Sequence, residues 1–125
     1  MFLRKRRKKM TEKTVNICGR EVKFRSSAAI PRLYRNKFSR DIFKDLSRLE
    51  KSAEKRASGE EFEIDDLEIF ENVAYIMALH ADSSIPDTID EWLDGFEMFS
   101  IYEILPQILE LWGSNLFTDV TAKKN

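Results

Sequence analysis

Between Ile30 and Ala53, apolar side chains return at Ile30, Tyr34, Phe38, Ile42, Leu46, Leu49 and Ala53, in steps of 4, 4, 4, 4, 3 and 4. A repeat near 3.6 residues sets all seven on one side of a helix and excludes a strand, whose side chains alternate at every second residue. Leu33 and Phe43 widen the stripe, while Arg32, Arg35, Lys37, Arg40, Lys44, Arg48 and Lys51 fill the other sides. Ser26 and Ser27 offer hydroxyls for the start, Pro31 suits a first turn, and Ala57-Ser58-Gly59 supplies the stop. The pattern predicts one long amphipathic helix over residues 30–56. Such a stripe needs an apolar cover, and the rest of the chain supplies it.

Upstream, Thr14–Phe24 reads TVNICGREVKF. Two β-prone runs, Val15–Cys18 and Glu21–Phe24, flank Gly19-Arg20 and predict a hairpin with a two-residue turn. Downstream, Asp65-x-x-Glu68 is a capping pattern for a helix over 65–81. Leu67, Phe70, Val73, Ala74, Met77 and Ala81, with Ile69, Tyr75, Ile76 and Leu79, make that helix apolar on most sides and predict that it is largely buried. Residues 82–86 read as a loop. Thr88-x-x-Glu91 opens a short helix bearing Ile89, Trp92, Leu93 and Phe96, which Gly95 weakens. Ser100-x-x-Glu103 opens a last helix to Leu111 or Trp112, kinked or started late by Pro106 and stopped by Gly113. At 125 residues and 42% hydrophobic, the chain can build one core. The expectation is a mainly α domain of about four helices with a short N-terminal β-hairpin. It occupies 14–117, between a basic, disordered tail at 1–13 and a frayed C-terminus at 118–125.

A net charge of −1 hides three blocks. Residues 1–13 carry seven Lys/Arg against Glu12, and residues 14–58 carry twelve against five acids. Residues 59–122 carry sixteen acids and no Lys or Arg. One reading is internal, with a basic helix packed beside acidic ones. The other is external, with an acidic face that steers a basic partner. The run Arg4–Lys9 reads as a solvated tail, and as a nucleic-acid contact only under an alternative in which the chain is a small regulator. Met10 is a second possible start, which would remove that run.

Catalytic patterns are lacking. His80 and Cys18 are each the only residue of their kind, so no His/Cys metal set and no disulfide framework forms. His80, at the end of a buried helix, reads as structural. No phosphate loop, nucleophile elbow, EF-hand pattern or Cys/His pair occurs, and no cofactor is expected. No apolar run of about 18 residues exists to span a membrane, and the N-terminus lacks the apolar segment of a secretory signal. What stands out is residues 92–112, where thirteen of 21 side chains are apolar. Most would form core. The excess suits a surface for a partner's apolar segment, with Trp92, Phe96, Phe99, Tyr102, Leu105 and Trp112 as candidate contacts.

Three stretches carry a resemblance: RSSAAIPRLYRNKFSRDIFKDLSRLEK (Arg25–Lys51), ENVAYIMALHAD (Glu71–Asp82) and TIDEWLDGFEMFSIYEILPQILELW (Thr88–Trp112). In combination they resemble the tail assembly chaperones of siphoviruses and prophages of Gram-positive bacteria, from Val15 to the C-terminus. Met1–Lys9 has no counterpart there. The resemblance implies a short, helical, non-enzymatic protein of the host cytoplasm. Its expected partner is the tape measure protein, the helical ruler of the tail, with tail tube subunits and further copies of the chain as secondary partners. It implies departure before the virion is complete. It also implies, in many members, a longer product made by frameshifting, for which the Lys123-Lys124-Asn125 ending offers a slippery codon run. Membrane and nucleic acid are not expected partners. A self-assembling, catalytically silent structural protein is a third reading.

Overall fold

A computed structural model describes residues 12–60 and 63–112. Two strands, β1 (Glu12–Ile17) and β2 (Arg20–Arg25), form an antiparallel hairpin with Val15 opposite Val22 and Ile17 opposite Arg20. The turn is Cys18-Gly19 rather than the expected Gly19-Arg20. Both residues hold positive φ, 55° and 80°, as the type I′ hairpin turn demands. The Gly19 N–H donates to Asn16 Oδ1 at 2.8 Å. This correction moves the register by two residues, so the alternation of faces survives it. Val15, Ile17, Val22 and Phe24 all point into the core. Glu12 and Lys13 pair with Arg25 and Phe24, so the first strand starts two residues before the expected boundary at 14. The remaining tail residues, the expected Gly113 stop and the C-terminal segment lie outside the described residues.

The single helix expected over 30–56 is two helices, α1 (Ile30–Phe38) and α2 (Ile42–Ala57). Ser39 takes a left-handed conformation, φ 57°, and its N–H closes α1 on the Arg35 carbonyl. Asp41 is extended, and its carboxylate accepts from the Phe43 N–H at 2.9 Å, capping α2. The reason for the break lies in a buried carboxylate. Asp45 accepts from the Tyr34 hydroxyl at 2.6 Å and from Arg40 in a two-pronged bond, Nε at 2.7 Å and Nη2 at 2.9 Å. In one continuous helix, Tyr34 and Asp45 would stand about 16 Å apart along the axis. Only a reversal of direction brings them together. The apolar stripe still points inward, since Ile30, Tyr34, Ile42, Leu46 and Leu49 are buried on both sides of the break.

Helix α3 (Ile64–Ala81) runs through the middle of the fold. Its cap lies two residues before the expected Asp65: Glu63 is the cap residue, and its N–H donates to the Asp66 carboxylate. From Asn72 to Ala78 every residue of α3 is buried. β2, α1, α2 and the short α4 (Ile89–Asp94) pack around it. The Thr88 Oγ1 accepts from the Glu91 N–H at 3.2 Å, the cap that the Thr-x-x-Glu pattern predicts for α4. A 3-10 turn at Ile101–Ile104 then leads into α5, residues 105–112, so Pro106 falls in the first turn of a helix that starts late. Ile101, Ile104, Leu105, Ile108, Leu111 and Trp112 close the core. The architecture is a small, mainly α domain with an N-terminal hairpin.

Two consequences are measurable. Burial pushes the Asp45 carboxyl up, but hydrogen bonds from Arg40 and Tyr34 and the charges of Arg40 and Arg48 outweigh it and hold the group below its ordinary value. Asp45→Asn should therefore cost about 1–3 kcal/mol in urea unfolding at neutral pH. Because the folded carboxyl titrates below its unfolded counterpart, that advantage exists above about pH 4 and drains away as the pH falls through the folded value. Cys18→Asn, which installs the favoured Asn-Gly turn, should raise stability by up to about 1 kcal/mol; a loss would contradict the type I′ geometry.

Candidate partner-binding surface

The six candidate contacts separate into three environments. Trp92 is 2% exposed on α4, its ring edge-on to Tyr75 of α3 at 5.5 Å and to Phe96 at 5.2 Å. The Tyr75 hydroxyl donates to the Pro86 carbonyl and pins the loop that leads into α4. Trp112, 7% exposed, leans its ring on Phe43 of α2 at 5.7 Å, and Leu105 is buried beside α2. Burial thus takes Trp92, Leu105 and Trp112 off the accessible surface of the folded chain. These three cross-brace α3, α4, α5 and α2.

Phe96 and Tyr102 are half-buried and engaged. The Arg20 guanidinium sits over the Phe96 ring at 5.2 Å and donates from Nη1 to the Gly95 carbonyl at 3.3 Å, which clamps the hairpin turn onto the end of α4. A Cβ at position 95 would meet Arg20 Nη1 at 2.8 Å, so glycine admits this close approach. The Tyr102 hydroxyl donates to Glu71 at 2.6 Å, and its ring lies against Phe70 at 5.9 Å. Burial and then the Glu71 carboxylate push the Tyr102 hydroxyl up to about 12. Tyr102 also lines, with Ala53, Ala57, Leu105 and Pro106, a groove of about 390 Å³ between α2 and the 3-10 turn.

Of the six, Phe99 alone is open to solvent, at 71% exposure, and its neighbour Met98 is 77% exposed. Met98 was not among the sequence candidates. The signal was present: Glu97-Met98-Phe99-Ser100 sits between a glycine and a helix start, and two successive apolar side chains in such a turn have no common inward face. Acidic residues precede the pair. Asp90, Glu91, Asp94 and Glu97 are all exposed, and none is paired with a Lys or Arg among the described residues. Other acids are matched internally. Arg48 Nε donates to Asp66 at 2.6 Å and approaches Glu63 and Asp65, and Lys13 reaches Glu110 at 3.6 Å. The internal pairing of the acidic block is therefore found at the start of α3 and at Glu110, and not, among the described residues, in the α4 region.

His80 is a structural residue in this arrangement: its Nε2 shares a hydrogen bond of 2.8 Å with the Ser27 hydroxyl, which also accepts from the Ala29 N–H. Burial, then the nearby Arg25 charge, lower its basicity against a smaller opposing pull from Glu12. Among the described residues no group of three His, Cys, Asp or Glu is placed to hold a metal ion, and no helix is long and apolar enough to cross a membrane.

The contrast between the two aromatic classes can be tested directly. Trp92→Ala should lower stability by about 3–5 kcal/mol in chemical denaturation, whereas Phe99→Ser should change it by no more than about 0.5 kcal/mol. Comparisons with protein-family models, with curated proteins and with solved structures return no match.

Proposed function

We propose that the chain is a non-catalytic assembly chaperone for siphovirus tails, acting in the host cytoplasm and leaving before the virion is complete. Its client on this reading is the tape measure protein, held soluble while tail tube subunits assemble around it. The observation that carries the reading is Met98-Phe99, two large apolar side chains in water beside four carboxylates that pair with no Lys or Arg among the described residues. Isolated exposed apolar residues are common, but an adjacent thioether and aromatic ring next to like-signed charge is the makeup of a contact for an apolar, basic helix. The carboxylates speed encounter with such a helix and disfavour acidic competitors. The resemblance over Arg25–Lys51, Glu71–Asp82 and Thr88–Trp112 supplies the identity of the client.

The test is co-expression with a siphovirus tape measure protein, the client that this reading names. The wild-type chain should raise the soluble fraction of that client and co-purify with it. The double variant Met98→Ser/Phe99→Ser, folded to the same melting temperature, should do neither. A client that stays insoluble with the wild-type chain, or is rescued equally by the double variant, would count against the reading.

A further inference from the structure

A polar cavity of about 190 Å³ lies between the α1–α2 junction, α2 and α3, lined by Arg40, Arg48, Asp65, Glu68, Ile69 and Asn72. The four α3 residues recur at i, i+3, i+4 and i+7, so a single face of that helix forms one wall. The opposite wall is cationic, and buried carboxylates hold it still. Arg40 is tied to Asp45 through Nε and Nη2, which leaves Nη1 out of that pair. Arg48 is tied to Asp66 through Nε and to Glu63 through Nη2, which leaves its own Nη1 out of both contacts. Guanidiniums fixed in this way keep N–H groups for a further acceptor and lose little side-chain freedom on binding it. Asp65 and Glu68 are exposed and bring negative charge to the same cavity. Asn72, also in the lining, is only 8% exposed, and its amide makes no hydrogen bond among the described residues. Buried amides in folded proteins are paired almost without exception, so the cavity is where the Asn72 partner belongs.

We propose that this cavity binds a small zwitterion, a free α-amino acid with a short side chain. Its carboxylate accepts from Arg40 Nη1 and Asn72 Nδ2, and its ammonium donates to Glu68 and Asp65. Glu68 and Asn72 are one turn apart, about 6 Å along the axis of α3. An α-ammonium and its carboxylate, with a hydrogen bond of about 3 Å at each end, bridge that interval. A ligand of one sign fits less well. An anion alone gains Arg40 but faces Asp65 and Glu68, and a cation alone gains those acids but faces Arg40 and Arg48. The volume sets the size, since it equals about six times the share of one water molecule in the liquid, enough for glycine or alanine and too little for a long side chain. The site stands whether or not the chain handles a tail client, because none of its residues belongs to the Met98-Phe99 surface.

Titration of the full-length, ¹⁵N-labelled protein with free glycine and L-alanine, followed by NMR, tests it. The Asn72 side-chain amide and the Arg40 Nε–H signals should shift saturably at millimolar concentration. Acetate and methylammonium, each carrying one of the two charges, should leave both signals in place at the same concentration and ionic strength. The double variant Asp65→Asn/Glu68→Gln changes two exposed side chains and keeps the buried Asp45 and Asp66 pairs, so its spectrum reports directly that it is folded. It should bind glycine at least about tenfold more weakly, the cost of losing charge-assisted bonds to the ammonium. Signals that stay fixed with both amino acids would overturn the proposal. So would shifts that acetate or methylammonium reproduces, which would reveal a site for one sign of charge, and shifts that the folded double variant retains in full.

Discussion

Helix α3 has no wet side over Asn72–Ala78, and the rest of the fold answers to that constraint. A helix apolar all round cannot rest against a single layer; it must be enclosed. The hairpin supplies one wall through Val22 and Phe24, α1 and α2 another through Tyr34, Leu46 and Leu49, and α4 a third through Trp92. Each of these elements is one-faced, apolar inward and charged outward. None can be stable alone at its length, a two-stranded hairpin least of all. The core is therefore a single cooperative unit built around one rod.

Enclosure requires the α1–α2 segment to change direction, and a polar contact inside the apolar wall accomplishes it. Asp45 sits at the junction, its carboxylate accepting three hydrogen bonds from Tyr34 and Arg40. A buried carboxylate without partners would be strongly destabilising, so the turn at Ser39–Asp41 and the charge pair stabilise one another. Arg48 does the equivalent between helices, joining α2 to the acidic start of α3. The segregation of charge along the chain is in this way partly an instruction for assembly: the basic half finds the acidic half. What remains is the acid of the α4 region that meets no Lys or Arg among the described residues, and beside it lie Met98 and Phe99, two of the four large apolar side chains, with Phe43 and Ile64, that stay exposed among those residues.

Much of the fold was legible in the residues. The inward faces of the hairpin, the α1–α2 stripe and α3 follow from periodicities of 2 and 3.6, which survive errors in turn placement. The hairpin turn moved by one residue and its register by two without changing which side chains are buried. The Thr88 cap and the late start at Pro106 are local chemistry and were readable as such. The helix break was not, because its cause is a contact between residues eleven apart that exists only after the reversal. Ser39 and Asp41 are common enough on helix surfaces to give no warning alone. Among the six aromatic and aliphatic candidates, sequence could count an excess of apolar side chains in 92–112 but could not distribute them. Trp92 and Trp112 look like anchors by residue type; packing against Tyr75 and Phe43 made them structural braces, and left Met98 and Phe99 outside.

The amino-acid order by itself determined the class of fold, the identity of the buried faces and the separation of charge, because these depend on spacing and on side-chain chemistry that every conformation of a segment shares. Which carboxylates are neutralised, which rings are hidden and where the chain bends were decided by tertiary structure alone. Those properties are differences between near-equal alternatives, and only the mutual positions of α2, α3 and α4 break the tie.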